Sequence, residues 1–421
     1  MAMREALKAV YEEVSKCNRC GFCQAHCPIF EITGDERSVA RGHNVQVRKL
    51  AEGSLPMSED LKDPLFECLL CKACVTNCFP AVRTDKIVVA GRAEYLKQVG
   101  EPKTLHFLFH RLLPDHSRLS PYVRLAARSK NSGATKLARA MGILNWFGRE
   151  LAKAEDLVEN LPTTFFRERA ASRRPASRGG KVRVAYFVGC GFNFLLPQVS
   201  EATVEVLENA GANVQVAENG CCGFPAYEYG DLDAARKMAV KNLEVLEKIE
   251  ADVVVTECGR CSAFLKGYPE LLEEDAKRKE QAKRLSRKVK GFSEFLQTCL
   301  PESLPAKSPG RKVTYHDPCH LSRSQGVTKE PRALLKKIPG LIYVEMPEAD
   351  RCCGGGGGYN ISHYEQSMKV LGRKMELVKK TGADILATEC PGCIIQLGYG
   401  VRRAGLKTRV LHLSELIREM V

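Results

Sequence analysis

The spacing of apolar and polar positions divides the 421-residue chain into a helical first part and a second part in which strands and helices alternate. Residues 1–16 read as a short helix. The stretch from Arg41-Gly42-His43 through Val45 to Leu50 reads as another, and residues 85–160 as a mainly helical, basic region. Within it, Leu105-His106-Phe107-Leu108-Phe109-His110-Arg111-Leu112-Leu113 is amphipathic. That suits a core-facing helix with a polar back, or contact with a membrane surface or partner. Arg167 to Arg183, with Pro175, Gly179 and Gly180, has the composition of an exposed linker. From Lys181 the pattern changes. Lys181–Val188 is a β-rich run, Val199–Asn209 a helix ending at Gly211, and Asn213–Ala217 a short strand. Leu232–Ile249 is a long amphipathic helix and Asp252–Thr256 a buried-type strand. Residues 273–290, rich in Lys and Arg with interleaved Glu, read as a solvated helix face. The order then recurs: strand Lys312–Tyr315, helix Arg332–Lys337, strand Ile342–Glu345, helix Tyr364–Lys380, strand Asp384–Thr388. Similar short pieces close both rounds, Phe292-Ser293-Glu294-Phe295 and Leu413-Ser414-Glu415-Leu416.

The cysteines follow the same repeat. The first round carries Cys190, then Cys221-Cys222-Gly223, then Cys258-Gly259-Arg260-Cys261. The second carries Cys319, then Cys352-Cys353-Gly354, then Cys390-Pro391-Gly392-Cys393. The gaps nearly match: 31 and 33 positions to the paired cysteines, then 36 and 37 to the next. A period of about 130 residues is too long for a solenoid unit and reads as a duplicated domain, each copy with a metal centre. Strand–helix alternation gives small α/β layers, with cysteines gathered at the carboxyl ends of strands. Adjacent cysteines suit an opened cluster in which one thiolate bridges irons. Gly223 and Gly354 permit close backbone approach to the metal. The run Gly354–Gly358 lacks the Gly-Lys-Ser/Thr ending of a phosphate loop.

Eight further cysteines lie ahead of the repeat. Cys17, Cys20, Cys23 and Cys27 fit C-x2-C-x2-C-x3-C-P, and Cys68, Cys71, Cys74 and Cys78 repeat the spacing with Pro80 displaced by one. This is the two-cluster ferredoxin pattern, in which three close cysteines wrap one iron–sulfur cube and the fourth ligand comes from the other block. Cys17, Cys20, Cys23 and Cys78 would hold one cluster, and Cys68, Cys71, Cys74 and Cys27 the other. Zinc ribbons favour paired C-x2-C knuckles over such a run. The expected fold is α+β overall: an N-terminal α-helical dicluster ferredoxin domain followed by two duplicated small α/β cysteine-rich domains. The boundaries are 1–100 for the dicluster domain, 101–180 for a helical connector and linker, and 181–300 and 310–421 for the two copies.

Composition narrows the class. Nineteen cysteines behind an N-terminus without an apolar signal point to metal binding in a reducing compartment, not to disulfides. No run of 18 apolar residues predicts a transmembrane helix. The formal charge of +14 is offset if each four-thiolate cluster carries about −2, and no nucleic-acid motif accompanies it, so nucleic acid is not an expected partner. No Ser-His-Asp set, paired-carboxylate signature or dinucleotide glycine fingerprint stands out, so no catalytic, flavin-binding or nicotinamide-binding residue is assigned. Cys299 belongs to neither cysteine pattern and reads as a buried structural thiol. His316 and His320 flank Cys319. They would either stabilise the turn or donate to cluster sulfur and move a proton. Glu257 and Glu389, each before a Cys-x-x-Cys, read as residues that cap or pair locally.

This arrangement resembles the family of the glycolate oxidase iron–sulfur subunit and the D-type subunit of heterodisulfide reductase, to which lactate-utilisation iron–sulfur proteins are related. The stretches Thr314–Leu321, Pro331–Leu335, Glu348–Gly354 and Thr381–Leu406 look most like the glycolate oxidase subunit. The resemblance implies two cubane [4Fe-4S] clusters and one or two further, non-cubane ones. Cys190, Cys221, Cys222, Cys258 and Cys261 would hold one non-cubane cluster, and Cys319, Cys352, Cys353, Cys390 and Cys393 the other. It also implies an oxidoreductase subunit that passes electrons. A flavin-containing 2-hydroxyacid dehydrogenase subunit for glycolate or D-lactate would be the partner. A quinone, a membrane protein or an electron-transfer flavoprotein would be the acceptor. The expected location is cytoplasmic, at the inner face of the membrane if there is peripheral contact. Both five-cysteine sets are complete, as in heterodisulfide reductases, and so is the longer glycine run. That keeps open a second reading, a catalytic subunit reducing a disulfide at non-cubane clusters.

Overall fold

The computed structural model describes residues 5–147, 149–171, 182–299 and 310–420. The N-terminal unit is all helix. Helices Glu5–Ser15, Ala40–Ala51 and Thr84–Gln98 pack around Leu7, Val14, Val47, Leu50, Leu65, Ile87 and Tyr95. Helix Ala40–Ala51 forms because one stripe of it (His43, Val47, Leu50, Ala51) is buried while Arg48 and Lys49 sit in its last turn, where cations are favoured. Helix Thr84–Gln98 is buried around most of its circumference and forms the centre of the unit.

Two four-stranded parallel sheets follow. The first contains β1 (Val182–Tyr186), β2 (Ala212–Val216), β3 (Val253–Thr256) and β4 (Val289–Gly291), in the order β2-β1-β3-β4. The second contains β5 (Arg311–Tyr315), β6 (Leu341–Tyr343), β7 (Ile385–Thr388) and β8 (Arg409–His412), in the order β6-β5-β7-β8. The inner strands β3 and β7 are buried at every residue, as expected of parallel strands covered on both faces. The mixed architecture, helical first and then two small α/β copies, is the expected one. The edge strands β4 and β8 were not expected. The basic stretch before β4 is indeed a helix, Ala276–Lys288.

The two copies grip each other. Helix Pro197–Asn209 packs on the closing helix Leu413–Met420 of the other copy, and the first copy's closing helix Phe292–Leu296 packs on helix Lys329–Lys336. Val184, Val255, Phe292 and Phe295 share one core with Val313, Tyr315, Leu413 and Leu416. Polar bonds cross the same seam. His412 Nε2 lies 3.0 Å from the Glu257 carbonyl, and the Ser293 amide donates to Glu389 Oε2 at 3.1 Å.

The amphipathic stretch at 105–113 is a helix (Lys103–Phe107) running into a π turn (Leu108–Leu112). Phe109, Leu112 and Leu113 are buried against Phe187, Phe192 and Ala217 of the first copy, so its apolar side faces the core. The linker expected from Arg167 begins differently. Phe166–Ala171 is helical, and the Arg167 guanidinium donates to the carbonyls of Ala217 and Asn219. Residues 172–181 of that linker lie outside the described residues, as does the N-terminal Met1–Arg4. Cys299 is half-buried at the edge of the shared core, not fully enclosed, because it follows the last helix of the first copy.

Candidate metal centres

The first eight cysteines line two adjoining cavities. Cys27, Cys68, Cys71 and Cys74 line one; Cys17, Cys20, Cys23 and Cys78 line the other, with Cys74 on the wall of both. Each three-cysteine loop alternates ordinary and left-handed backbone. Arg19 (φ 57°) and Gly21 (φ 79°) do this in the first, and Leu70 (φ 49°) and Lys72 (φ 63°) in the second. Such alternation turns successive amide N–H groups toward one point and makes a concavity for an anion. Three of these four residues carry side chains and hold the conformation at a cost, which marks a functional constraint.

In the α/β copies the strand ends deliver the thiols. Cys190 and Cys319 open helices a few residues beyond β1 and β5. Cys258 and Cys390 are the N-caps of helices Gly259–Lys266 and Pro391–Arg403 just beyond β3 and β7. Helix N-termini favour the negative form of these groups. Cys190 Sγ lies 3.7 Å from Cys221 Sγ, and thiol contacts run on through Cys222 and Cys261 to Cys258. The second copy repeats the chain from Cys319 through Cys352 to Cys353, which is 3.6 Å from Cys393, and on to Cys390. All ten repeat cysteines thus fall into two groups of five. Cys299 stands apart from both, and none of the 19 cysteines is in a disulfide.

The groups also touch each other. Cys71 of the N-terminal unit hydrogen-bonds with Cys352, and Cys258 with Cys390. With Cys74 shared by the first two cavities, the four groups form one continuous file. Its outer end reaches solvent at Cys20, beside the exposed rings of Phe22 and Phe79, 5.4 Å apart.

The donor set fits iron–sulfur clusters. Burial pushes the Cys68 thiol up to about 11 and Cys27 up to about 12, while the hydrogen bond from Cys352 brings Cys71 down to about 6. Crowded, buried thiols of this kind are kept deprotonated by a cationic centre, not by water. The inward-turned amides then match the net negative charge of a thiolate-bound cluster.

Three arginines stand along the file, and no spacing rule marked them. Arg92 donates to the carbonyls of Cys68 and Glu228. Arg323 donates to the Cys71 carbonyl and pairs with Asp350, so it sits at the Cys71–Cys352 junction. Arg260 lies at the Cys258–Cys390 junction, its guanidinium 5.1 Å from the centre of the Phe224 ring. The sequence signal for Arg260 was its place inside Cys-x-x-Cys, where the second copy has Pro391-Gly392.

His316 is buried. Its Nδ1 is 3.1 Å from the Ala349 carbonyl, and one of its ring nitrogens lies within 4.8 Å of the Cys353 and Cys393 sulfurs. His320 points the other way, edge-on to Phe224. It lines a cleft of about 720 Å³ between the N-terminal unit and the first copy. Glu257 accepts from the Gly189 amide at 3.1 Å, and Glu389 from the Tyr315 hydroxyl at 2.8 Å. Burial raises both carboxyls to about 7. Glu257 holds the Gly189 turn before Cys190, and Glu389 ties Tyr315 and Ser293; these partners lie 68 to 96 positions away, so neither carboxylate acts only as the local cap or pair expected.

The fold and the thiol file together define an iron–sulfur protein with a dicluster unit joined to a duplicated cysteine-rich unit. Comparison with known proteins agrees. Residues 13–81 match the 4Fe-4S dicluster domain, and residues 184–266 and 313–398 each match the cysteine-rich domain. The chain is 33% identical to the probable glycolate oxidase iron–sulfur subunit of Bacillus subtilis over 97% of its own length and 94% of the relative's. It is 35% identical to lactate utilization protein A of Geobacillus thermodenitrificans over 56% of its length and 98% of that protein's. A hypothetical protein from Helicobacter pylori aligns over 90% of this chain and 75% of that one, at 10% identity and a TM-score of 0.42. The chain belongs to the family of the glycolate oxidase iron–sulfur subunit, and it is a 4Fe-4S protein. No described helix is long and apolar enough to cross a membrane.

Proposed function

We propose that this chain is the electron-transfer subunit of a 2-hydroxyacid dehydrogenase acting on glycolate or D-lactate, in complex with a flavin-containing subunit that oxidises the hydroxy acid. The continuous file of four thiol groups, in contact from Cys20 to Cys190, is the observation that carries this reading. Cys17, Cys20, Cys23 and Cys78 hold one cubane cluster, and Cys27, Cys68, Cys71 and Cys74 the second. Cys190, Cys221, Cys222, Cys258 and Cys261 hold one non-cubane cluster; Cys319, Cys352, Cys353, Cys390 and Cys393 hold the other. When bound, these clusters supply one-electron redox chemistry. The chain's own residues hold them in single file, bury all but Cys190 and Cys319 of the thiols in the two α/β groups, and place Arg323 and Arg260 at the two inner junctions. The dicluster domain covers residues 1–100, the connector and linker 101–180, and the copies 181–300 and 310–421. A quinone, a membrane protein or an electron-transfer flavoprotein takes the electrons, and the complex works in the cytoplasm, touching the membrane only peripherally.

The complex purified from its host without oxygen tests this. Flavin is expected on a second polypeptide, roughly 16 irons per chain, and bleaching of the cluster absorption by glycolate or lactate. Absence of flavin from an intact native complex overturns the reading. One observation favours a second reading, a disulfide reductase: both five-thiol groups are complete and face each other at Cys258 and Cys390. In that case the complex holds no flavin subunit, and a disulfide takes the place of the quinone or other acceptor in reoxidising the reduced chain.

A further inference from the structure

Away from the thiol file, two histidines and two carboxylates converge where the connector meets the first α/β copy. Glu101 precedes helix Lys103–Phe107, His106 lies in that helix, His110 lies in the π turn that continues it, and Asp231 caps helix Leu232–Glu247. One ligand atom from each lies within 4.8 Å of the other three. His106 Nδ1 is 2.8 Å from Glu101 Oε2, and His110 Nε2 is 2.8 Å from Asp231 Oδ2. The two imidazoles stack with centres 4.1 Å apart and planes 28° from parallel.

The local sequence explains the convergence. Residues four apart on a helix share a face, and this is the spacing by which helical histidine pairs take a metal. The π turn adds a residue to the coil at His110, a distortion that recurs at functional sites. Asp231 is only 9% exposed. Its Oδ1 accepts from the Ala234 amide at 2.9 Å, while its Oδ2 accepts no hydrogen bond from any described residue. Glu101 Oε1 is likewise buried without a donor. Carboxylate oxygens shielded from water and left without donors are costly. A neutral imidazole N–H can close each 2.8 Å pair, but that leaves Glu101 Oε1 buried without a donor. A single divalent cation satisfies all four groups with both rings neutral.

We propose that Glu101, His106, His110 and Asp231 form a structural zinc site that clasps the helical connector to the first α/β copy. Two imidazole nitrogens and two carboxylate oxygens make a tetrahedral set of the kind zinc takes, with bonds near 2.0–2.2 Å. All four ligand atoms lie within 4.8 Å of one another, close enough for small side-chain shifts to reach the ~3.4 Å edge of that tetrahedron. Calcium and magnesium take mainly oxygen ligands. The clasp has a structural object. Asp231 follows the turn that ends helix Phe224–Tyr229, and that helix comes directly after Cys221-Cys222-Gly223. Zinc here fixes the far end of the segment that carries the first cysteine pair.

The test uses the full chain, iron-loaded and handled without oxygen, with zinc chloride as the probe. One zinc per chain is expected, and its X-ray absorption edge should show nitrogen and oxygen neighbours without sulfur. His106 is the exposed member of the set, so His106→Ala removes a ligand without opening the core. That variant should bind zinc at least ~10–100-fold more weakly at unchanged iron content. It should also lose the zinc-dependent rise in melting temperature shown by the parent. Failure to retain zinc, equal retention by His106→Ala, or sulfur in the zinc shell each overturns the site. Should the variant fail to load iron, the absorption edge of the parent chain decides by itself.

Discussion

Arg260 forms no hydrogen bond or ion pair among the described residues, and its Nε is buried. Burial disfavours its charge, but Glu228 and the thiols of Cys390, Cys319 and Cys258 more than compensate and hold it protonated. A fixed positive charge at the junction of two thiolate-rich groups stabilises their more reduced, more negative forms. Arg260→Gln should therefore lower the midpoint potentials of the cysteine-rich centres by roughly 100 mV. That is the scale of one charge several ångströms away at an effective dielectric of about 20. A potentiometric titration followed by electron paramagnetic resonance measures it, with the dicluster signals as the internal reference. Unmoved potentials would reduce Arg260 to packing on Phe224. The cysteines were legible in the sequence because thiol spacing is a local code. Arg260 was not, since its meaning depends on Cys319 and Cys390, about 60 and 130 residues further on. The zinc-clasp residues escaped for the same reason: His106 and His110 looked like the polar back of an amphipathic helix until Asp231 was brought beside them.

Among elements, the long ones were plain and the short ones hidden. β3 and β7 are unbroken apolar runs. β4 and β8 are three and four residues long, too short for a periodicity, and were visible only as the matched pieces that follow them. Arg167–Ala171 looked like linker because its composition is basic; its helix is held by Arg167 contacts to residues some 50 positions away. Glycines separate packing constraint from helix propensity. Gly230 ends helix Phe224–Tyr229 at φ +105°, and a Cβ there would sit 2.7 Å from the Ala93 amide nitrogen. Gly230→Ala should cost roughly 2–4 kcal/mol by pushing that helix off helix Thr84–Gln98. Gly372, inside helix Tyr364–Thr381, has open space where its Cβ would go. Gly372→Ala should gain roughly 0.5–1 kcal/mol. Unfolding midpoints of the two variants, compared with the parent, should move in opposite directions.

At the scale of the whole molecule, neutral histidines buried in three different places tie stability to pH. Burial depresses His43 to about 4, His116 to about 3 and His412 to about 4, all below the ordinary 6.5. Between pH 6.5 and about 4 the unfolded chain takes up protons at these histidines that the folded chain refuses, so their contribution to stability falls as pH falls through that window; Glu257 and Glu389, raised to about 7, act in the opposite sense between about 7 and 4.5. His43 alone accounts for roughly 3 kcal/mol. His43→Gln should make the pH dependence of the unfolding midpoint shallower by about one proton in that window. An unchanged slope would show that His43 is protonated in the folded chain. The duplication itself was readable from the repeat. The grip between copies was not, because the helices that close it contact partners in the other half of the chain.

That grip has a consequence for biosynthesis. The ribosome completes Cys261 roughly 150 residues before His412, a wait of about 10–30 s at ordinary translation speed. Until then the Glu257 carbonyl lacks its histidine, helix Pro197–Asn209 lacks its cover, and Cys258 has no Cys390 beside it. The first five-thiol group is therefore made first of the two but closed only once the second copy is in place.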